Sequence, residues 1–266
     1  MSNQSSPPPP ARAFRAGSLR VEIWGSNAEM GRAAAAQVAA CLRQALAAKK
    51  TARFIMATGN SQISYTASLL KDHGLPWDRI ECFHMDEYVG MDANHPASFR
   101  RWMRERVESV VHPRAFHYIR GDSSDPQAEC ARYAALLKAA PIDVISLGIG
   151  ENGHIAFNDP PVADFNDPLA VKIVPLDEAC KRQQVGEGHF PDLASVPTHA
   201  ITLTIPTLLA VADVFCLVPE SRKAEAVRQA LEGPISTACP ASILRRSPQA
   251  RLFLDAHSAA LLKSES

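Results

Sequence analysis

The stretch "DVISLGIGENGHIAFNDPP", residues 143–161, decides the fold prediction because an apolar run passes directly into a glycine-rich polar loop. The run lacks the alternation of a half-exposed strand, which is typical of a parallel strand buried on both faces. The glycines at positions 148, 150 and 153 match the spacing G-x-G-x-x-G, but a dinucleotide site also needs a helix immediately after them. The proline-containing loop that follows argues against such a helix. We therefore predict a strand that delivers polar side chains to the carboxyl edge of a sheet, where ligands bind in open α/β folds.

Segments outside this stretch alternate between strand-like and helix-like patterns. Apolar strand-like segments are predicted at residues 19–25, 52–59, 79–85, 142–150, 199–205, 213–219 and 250–255. Helical segments are predicted at residues 27–50, 61–72, 98–109, 125–140 and 221–233. Buried strands separated by helices indicate a three-layer α/β fold, in which a doubly wound, mostly parallel sheet carries helices on both faces.

The first 17 residues differ from the rest because they contain four consecutive prolines, residues 7–10. A proline run favours an extended, solvated chain. We therefore predict a disordered tail over residues 1–17 and a single α/β domain over residues 18–266. The start of the chain lacks the apolar core of a secretory signal, and no apolar stretch approaches the roughly 18 residues that a membrane span needs.

The 28 basic and 28 acidic residues of the 266-residue chain cancel, so it offers no broad electrostatic surface to nucleic acid or to an anionic membrane. Any phosphate site must therefore be local. The six cysteines form no C-x-x-C pair, which favours reduced thiols over a zinc site or a disulfide framework. We expect a cytoplasmic protein without a metal site. The sequence is compatible with a homo-oligomer.

The loop after the central strand contains side chains that can transfer protons. Gly150 and Gly153 allow the backbone to turn tightly around Asn152, His154 and Asp159. A carboxylate beside an imidazole fixes the tautomer of the ring and stabilises its charged form. The alternative is a loop whose Asn and Asp side chains only satisfy backbone donors.

A second polar turn, "MATGNSQ" at residues 56–62, ends one predicted strand and opens a helix. Thr58, Gly59, Asn60 and Ser61 can offer backbone N–H groups and hydroxyls to an anion at the start of that helix. No Gly-Lys-Ser/Thr follows, so the turn is not a Walker loop. The alternative is an ordinary capped turn between a strand and a helix.

A third turn, within "FHMDEYVGMDANHPASF" at residues 83–99, places Asp86 and Glu87 just past another strand. Adjacent carboxylates repel, so at least one is expected to be solvated, paired or protonated. His84 lies two residues before Asp86 and therefore on the same side of an extended strand. His84 and Glu87 are candidate supporting residues for Asp86, and the alternative is a surface turn.

The three turns together resemble the glucosamine-6-phosphate deaminase/isomerase family, whose fold is shared with 6-phosphogluconolactonases. The resemblance covers about residues 20–255 and rests on the blocks "ATGNS", "FHMDEYVG", "LGIGENGHIAFNDPP", "HAITLTIPTLL", "VPESRKAEAV" and "PASILRRSPQARLFLD". It implies a modified Rossmann-like sheet and the conversion of glucosamine 6-phosphate and water into fructose 6-phosphate and ammonia. It also implies a small-molecule sugar phosphate as the partner, with no metal or organic cofactor.

The resemblance further implies roles for individual residues. Asp86 matches the catalytic aspartate and His154 the ring-opening histidine. Asp159 matches the carboxylate that orients this histidine, and Asn152 lies in the same catalytic loop. The substrate phosphate is expected to bind at the residues that match the phosphate site of the family: Thr58, Gly59, Asn60, Ser61, Arg182 and Lys223.

Three departures from the family pattern bear on the substrate. Asp159 stands where the best-known members have Glu, and Gln62 replaces the proline that usually follows the phosphate loop. Residues 162–190, which form part of the lid in the family, match the ordinary deaminases poorly. The alternatives are therefore a deaminase or isomerase of another hexosamine phosphate, a 6-phosphogluconolactonase-like hydrolase, and a non-catalytic sugar-phosphate sensor.

Overall fold

The structure, a computed structural model, describes residues 9–263. The strands are, in chain order, β1 (Arg12–Ala16), β2 (Leu19–Trp24), β3 (Ala52–Met56), β4 (Ile80–His84), β5 (Asp86–Tyr88), β6 (Ala115–His117), β7 (Val144–Leu147), β8 (Val171–Pro175), β9 (His199–Leu203), β10 (Asp213–Val218) and β11 (Ala250–Asp255). The α-helices are α1 (Asn27–Ala48), α2 (Ile63–Leu69), α3 (Phe99–Met103), α4 (Ser109–Val111), α5 (Pro126–Lys138), α6 (Glu178–Gly186), α7 (Ile205–Leu209) and α8 (Ala224–Glu232). Among the described residues, no helix combines the length and apolar character that a bilayer span requires.

The strand β7 lies inside an eight-stranded sheet of order β1-β2-β11-β10-β7-β3-β4-β6. Every neighbouring pair in this sheet is parallel except β1 and β2. All residues of β3 and β7 are buried, as expected for strands that helices cover on both faces. The predicted doubly wound α/β fold is therefore confirmed.

Alternate side chains of the central strands enter different apolar clusters. Phe54 and Met56 of β3 share one cluster with Met30 of α1. Ile55, between them, belongs to a second cluster that includes Tyr133 of α5. Because successive side chains of a strand point to opposite faces, these clusters form the two helix-covered layers on either side of the sheet.

The chain enters the large sheet earlier than predicted. Residues 12–16 form β1, which pairs antiparallel with β2 from Arg12 opposite Ile23 to Ala16 opposite Leu19. The prediction of a disordered tail is therefore wrong for these residues, because Phe14 packs against the core and the strand pairs with β2. Residues 1–8 of the predicted tail lie outside the described residues.

A second, three-stranded sheet has the order β5-β9-β8 and is antiparallel throughout. The segment at residues 199–205 was expected to join the main sheet, but its strand β9 lies in the middle of this smaller one. β5 begins two residues after β4 ends, so the small sheet starts at the carboxyl edge of the large sheet. Asp86 is the first residue of β5, opposite Thr202 of β9.

Candidate active site

A cleft of about 620 Å³, counted to its open mouth, lies at the carboxyl ends of the central strands. It receives side chains from the turns after β3, β4, β7 and β10 and from the segment of α6 and its following loop. Its polar lining residues are Thr58, Asn60, Ser61, Asp86, His154, Gln183, Gln184, Glu187, His189 and Lys223. The three turns singled out in the sequence therefore open into one cleft.

His154 contacts a buried carboxylate. Its Nδ1 lies 2.8 Å from Oδ1 of Asp159, which is completely buried. Among the described residues Nδ1 makes no hydrogen bond of regular angle, and Oδ1 of Asp159 is the close acceptor to which we assign its proton. An Nδ1–H bonded to the carboxylate leaves Nε2 as the ring nitrogen that can exchange a proton with a ligand.

Asn152 stabilises this pair from behind without lining the cleft. Its Nδ2 donates to Oδ1 of Asp159 at 2.8 Å and to Oδ2 of Asp177 at 3.3 Å. Its Oδ1 accepts from the backbone N–H of His154 at 3.1 Å. The side-chain amide of Asn152 therefore holds both the carboxylate of Asp159 and the backbone of His154 in place.

The carboxyl group of Asp159 is ionised in this network. Burial by itself favours the neutral acid, but attraction to His154 and hydrogen bonds from His154, Asn152 and Cys180 outweigh it, and the pKa of Asp159 lies below its usual value. His154, Asp159 and Cys180 also place three ligand-type atoms within 4.8 Å of one another. The direct contact between His154 and Asp159 suits proton transfer, and the absence of a metal stays a prediction.

Two of the loop glycines are required by close contacts. A Cβ on Gly150 would lie 2.2 Å from Cε1 of His154, so the imidazole rests against the bare backbone. Gly153 has a φ of +82°, and its Cβ would lie 2.7 Å from Sγ of Cys239. The G-x-G-x-x-G spacing therefore serves the placement of His154 and not the binding of a dinucleotide.

Asp86 lines the cleft as a buried acid. Burial, and next the charge of the neighbouring Glu87, raise the pKa of Asp86 to about 8. A carboxyl group with this pKa exchanges its proton near neutral pH, which is the property that a general acid–base catalyst needs.

Glu87 lies behind Asp86 and anchors the start of α3. It is completely buried and accepts hydrogen bonds from Oγ of Ser98 at 2.8 Å and from the backbone N–H of Arg100 at 2.9 Å. Burial raises the pKa of Glu87, although these hydrogen bonds oppose the shift. Glu87 therefore ties the strand that carries Asp86 to the neighbouring helix.

His84 is buried within the fold beneath this strand. Its Nε2 accepts a hydrogen bond from the backbone N–H of Ile119 at 2.8 Å, and its ring lies against Tyr118 and Tyr133. Burial, and next the charge of Arg100, lower the pKa of His84 to about 3. His84 is thus a neutral hydrogen-bond acceptor that joins β4 to the segment after β6.

The turn at residues 58–61 lines the same cleft. Gly59 adopts φ +95° and ψ 173°, a conformation that is essentially restricted to glycine. The 3-10 turn Asn60–Gln62 then leads into α2. Nε2 of the buried Gln62 donates to Oγ of Ser61 at 3.1 Å, so the residue that replaces the usual proline holds this hydroxyl in place.

Lys223 lines the cleft from the turn after β10. It is only 4% exposed, and burial lowers its pKa despite the attraction of Glu187. Glu220 has a φ of +81°, and its backbone N–H is held by the carboxylate of Asp255 at 3.2 Å. The fold therefore stores backbone strain in the turn that presents the lysine.

The predicted phosphate ligand Arg182 does not lie in the cleft. Its side chain is 62% exposed and pairs with Glu178 on the outer face of α6. On a helix, residue 182 lies about 200° from residue 184, which does line the cleft. The assignment of Arg182 to the phosphate site is therefore wrong, because the sequence match did not reveal which face of α6 is turned inward.

Four polar residues that line the cleft were not predicted from the sequence: Gln183, Gln184, Glu187 and His189. Oε1 of Gln184 accepts from the hydroxyl of Tyr88 at 2.7 Å, which leaves its amide N–H groups for the cleft. The i, i+4 spacing of Cys180 and Gln184 marks the buried face of α6, but this helix was not recognised in the poorly matching segment.

Comparison with known proteins agrees with this geometry. Residues 25–253 match the family model described as glucosamine-6-phosphate isomerases/6-phosphogluconolactonase. A glucosamine-6-phosphate deaminase of Exiguobacterium sibiricum is 36% identical over 217 residues, which are 79% of this chain and 81% of that protein. One of Listeria monocytogenes is 34% identical over 207 residues, covering 78% of this chain and 86% of that protein.

Solved structures show the same fold. A monomeric glucosamine-6-phosphate deaminase superposes with a TM-score of 0.84 at 30% identity, over 91% of this chain and 99% of that chain. The 6-phosphogluconolactonase of Thermotoga maritima superposes with a TM-score of 0.71 at 18% identity, over 88% of this chain and 98% of that chain. The second likeness concerns the fold alone.

Proposed function

The chain belongs to the family of glucosamine-6-phosphate isomerases and 6-phosphogluconolactonases, and we propose that it converts glucosamine 6-phosphate and water into fructose 6-phosphate and ammonia. One observation carries this proposal. The buried acid Asp86 and the imidazole of His154 line one cleft together with Lys223 and the turn at residues 58–61.

Opening of the sugar ring requires a proton to move from the C1 hydroxyl to the ring oxygen. The neutral imidazole of His154 can accept and return this proton through Nε2, because Nδ1 is held at Asp159. As the imidazole ring of His154 takes up the proton, the buried carboxylate of Asp159 stabilises the positive charge that develops on the imidazole. Asp159 and Asn152 act here by positioning His154.

Isomerisation requires a base that moves a proton from C2 to C1 of the open chain. Asp86 supplies this base: its carboxylate accepts the C2 proton, and the resulting carboxylic acid returns a proton to C1. The C1 carbonyl oxygen gains a proton and the C2 amino group loses one, so that the amino aldehyde becomes a C2 imine with a C1 hydroxyl. The C2 imine that results adds water and releases ammonia, leaving the ketose. The raised pKa of Asp86 suits both halves of this exchange, since acceptance and return of the proton both occur near neutral pH.

The phosphate group of the substrate binds far from the reacting carbons in this scheme. Backbone N–H groups and hydroxyls of residues 58–61 and the ammonium group of Lys223 form its site. Binding energy at this distant group holds C1 and C2 in register with Asp86 and His154.

A panel of hexosamine 6-phosphates, assayed for both ammonia and ketose, tests the proposal and identifies the preferred sugar. We expect turnover of glucosamine 6-phosphate, and loss of that turnover in the Asp86→Asn variant with phosphate binding retained. The proposal fails if the protein binds the sugar phosphates but releases ammonia from none of them between about pH 6 and pH 9. Hydrolysis of 6-phosphogluconolactone that persists in Asp86→Asn would instead identify a lactonase.

A further inference from the structure

The carboxylate of Glu187 lies in the cleft beside Lys223, the proposed phosphate ligand. Glu187 follows the last residue of α6 and lines the cleft together with Lys223 and the turn at residues 58–61. Its side chain is only 8% exposed. A negative charge at this place competes with any phosphate group that binds there.

Glu187 is held as an ion by charge more than by short hydrogen bonds: although burial opposes it, His189, Lys223 and Arg222 lower its pKa to about 2. Its Oε1 accepts one short hydrogen bond, from Nε2 of Gln183 at 2.9 Å. The same oxygen lies 3.6 Å from Nζ of Lys223 and 3.9 Å from Nη1 of Arg222, and Oε2 lies 3.4 Å from Nε2 of His189. These three separations exceed the 2.7–3.2 Å of a well-formed N–H···O bond.

The positive charges of Lys223 and Arg222 are already neutralised by carboxylates of the protein without a ligand. Arg222 pairs with Glu220 at 2.6 Å and lies 4.0 Å from Glu151, in addition to its contact with Glu187. The cations of Lys223 and Arg222 therefore face three carboxylates. Displacement of the most deeply placed carboxylate, that of Glu187, would free Lys223 for an incoming anion, while Arg222 would keep its close contact with Glu220.

The backbone around Glu187 can permit this displacement. Gly186 and Gly188 flank the residue, and a Cβ on either glycine would meet no atom within 4 Å. Gly188 also has a φ of +80°, which ends the helix. Glycines in open space impose little barrier to a change of backbone torsion at such a position.

We propose that Glu187 is an internal counter-ion of Lys223 that occupies the phosphate subsite, leaves it when the substrate phosphate binds, and thereby sets the affinity and selectivity of the site. This inference rests on the proposed function for the identity of the substrate. A phosphate monoester with two negative charges replaces the single charge of Glu187 with a net gain of attraction to Lys223 and Arg222. A ligand with one negative charge only replaces the charge of Glu187 and gains no additional attraction to these cations. The site therefore selects dianions.

Calorimetric titration with inorganic phosphate at constant ionic strength tests this role directly. The isosteric Glu187→Gln substitution removes the charge, and we expect phosphate to bind about tenfold more tightly, with a comparable fall in KM for glucosamine 6-phosphate. Glu187→Ala is expected to act in the same direction. Glu178→Gln is the matched control, since Glu178 lies on the same helix but pairs with Arg182 outside the cleft, and it should bind phosphate as the parent protein does.

Two results would overturn the inference. Unchanged or weaker phosphate binding by both Glu187 variants would mean that the carboxylate holds Lys223 in place for the ligand instead of competing with it. Tighter binding that persists equally in a Lys223→Met background would mean that Glu187 does not act through the lysine. Failure of the proposed function is separable, because it appears as absent ammonia release from the parent protein whatever the phosphate affinities are.

Discussion

His154 Nδ1 and Asp159 Oδ1 lie 2.8 Å apart, although the aspartate is one methylene shorter than the glutamate usual at this position in related deaminases. The loop compensates because Asn152 holds the same carboxylate oxygen at 2.8 Å. The shorter acid therefore reaches the imidazole in this chain.

The fit of Asp159 predicts that glutamate, the residue that the family resemblance implies for this position, will support less activity in this chain. Asp159 is completely buried, so Asp159→Glu must place an extra methylene in a filled space and displace either His154 or Asn152. We expect kcat to fall about 10- to 100-fold, with KM changed less than kcat. Steady-state kinetics on glucosamine 6-phosphate checks this, and equal or higher activity of the glutamate variant would contradict it.

The raised pKa of Asp86 predicts the pH dependence of the reaction. The carboxylate is the form that accepts the C2 proton, and it becomes populated as the pH rises toward about 8. We therefore expect kcat/KM to increase with pH on the acidic side and to level off near this value. Phosphate binding measured directly should follow the second ionisation of the phosphate, at about pH 6, and lack a further step near pH 8. A rate that is flat from pH 6 to pH 9 would refute the assignment.

The same pKa shift predicts a cost in stability. The folded pKa of Asp86, about 8, lies above the ordinary value of 3.8, so the folded protein retains a proton that the unfolded chain releases. The free energy of unfolding therefore decreases as the pH rises from about 4 to about 8. Asp86→Asn cannot lose a proton, and its Tm should exceed that of the parent protein by several degrees at pH 8. Thermal melts at pH 5 and pH 8 check this, and a pH-independent difference in Tm would argue against a raised pKa.

The positions of Lys223 and Arg182 predict opposite outcomes for two cation deletions. Lys223→Ala removes the buried ammonium group from the cleft, so we expect KM to rise about 10- to 150-fold, since a hydrogen bond to a charged group contributes roughly 1.5–3 kcal/mol. Arg182→Ala removes an exposed side chain and should change KM less than about twofold. Phosphate titrations of the two variants would show the same contrast. A large loss in Arg182→Ala would indicate that α6 turns this face inward when substrate binds.

The sequence by itself determined the local structure and the acid–base groups. Mostly apolar runs without polar alternation marked β3 and β7 as buried parallel strands, because a strand covered on both faces needs no such alternation. The glycines at 150 and 153 marked the tight turn around His154. Since polar side chains at the carboxyl ends of parallel strands share one edge, the convergence of Asp86 and His154 followed from local patterns alone.

Only the tertiary structure decided which partner each segment meets and which face it buries. An apolar run can join either sheet, so the position of β9 beside β5 depended on contacts with residues that are distant in the sequence. The faces of α6 are distinguished by what lies against them, which put Glu187 in the cleft and Arg182 in solvent. The pKa of Asp86 likewise depends on burial by residues distant in sequence, because desolvation is a property of the assembled fold.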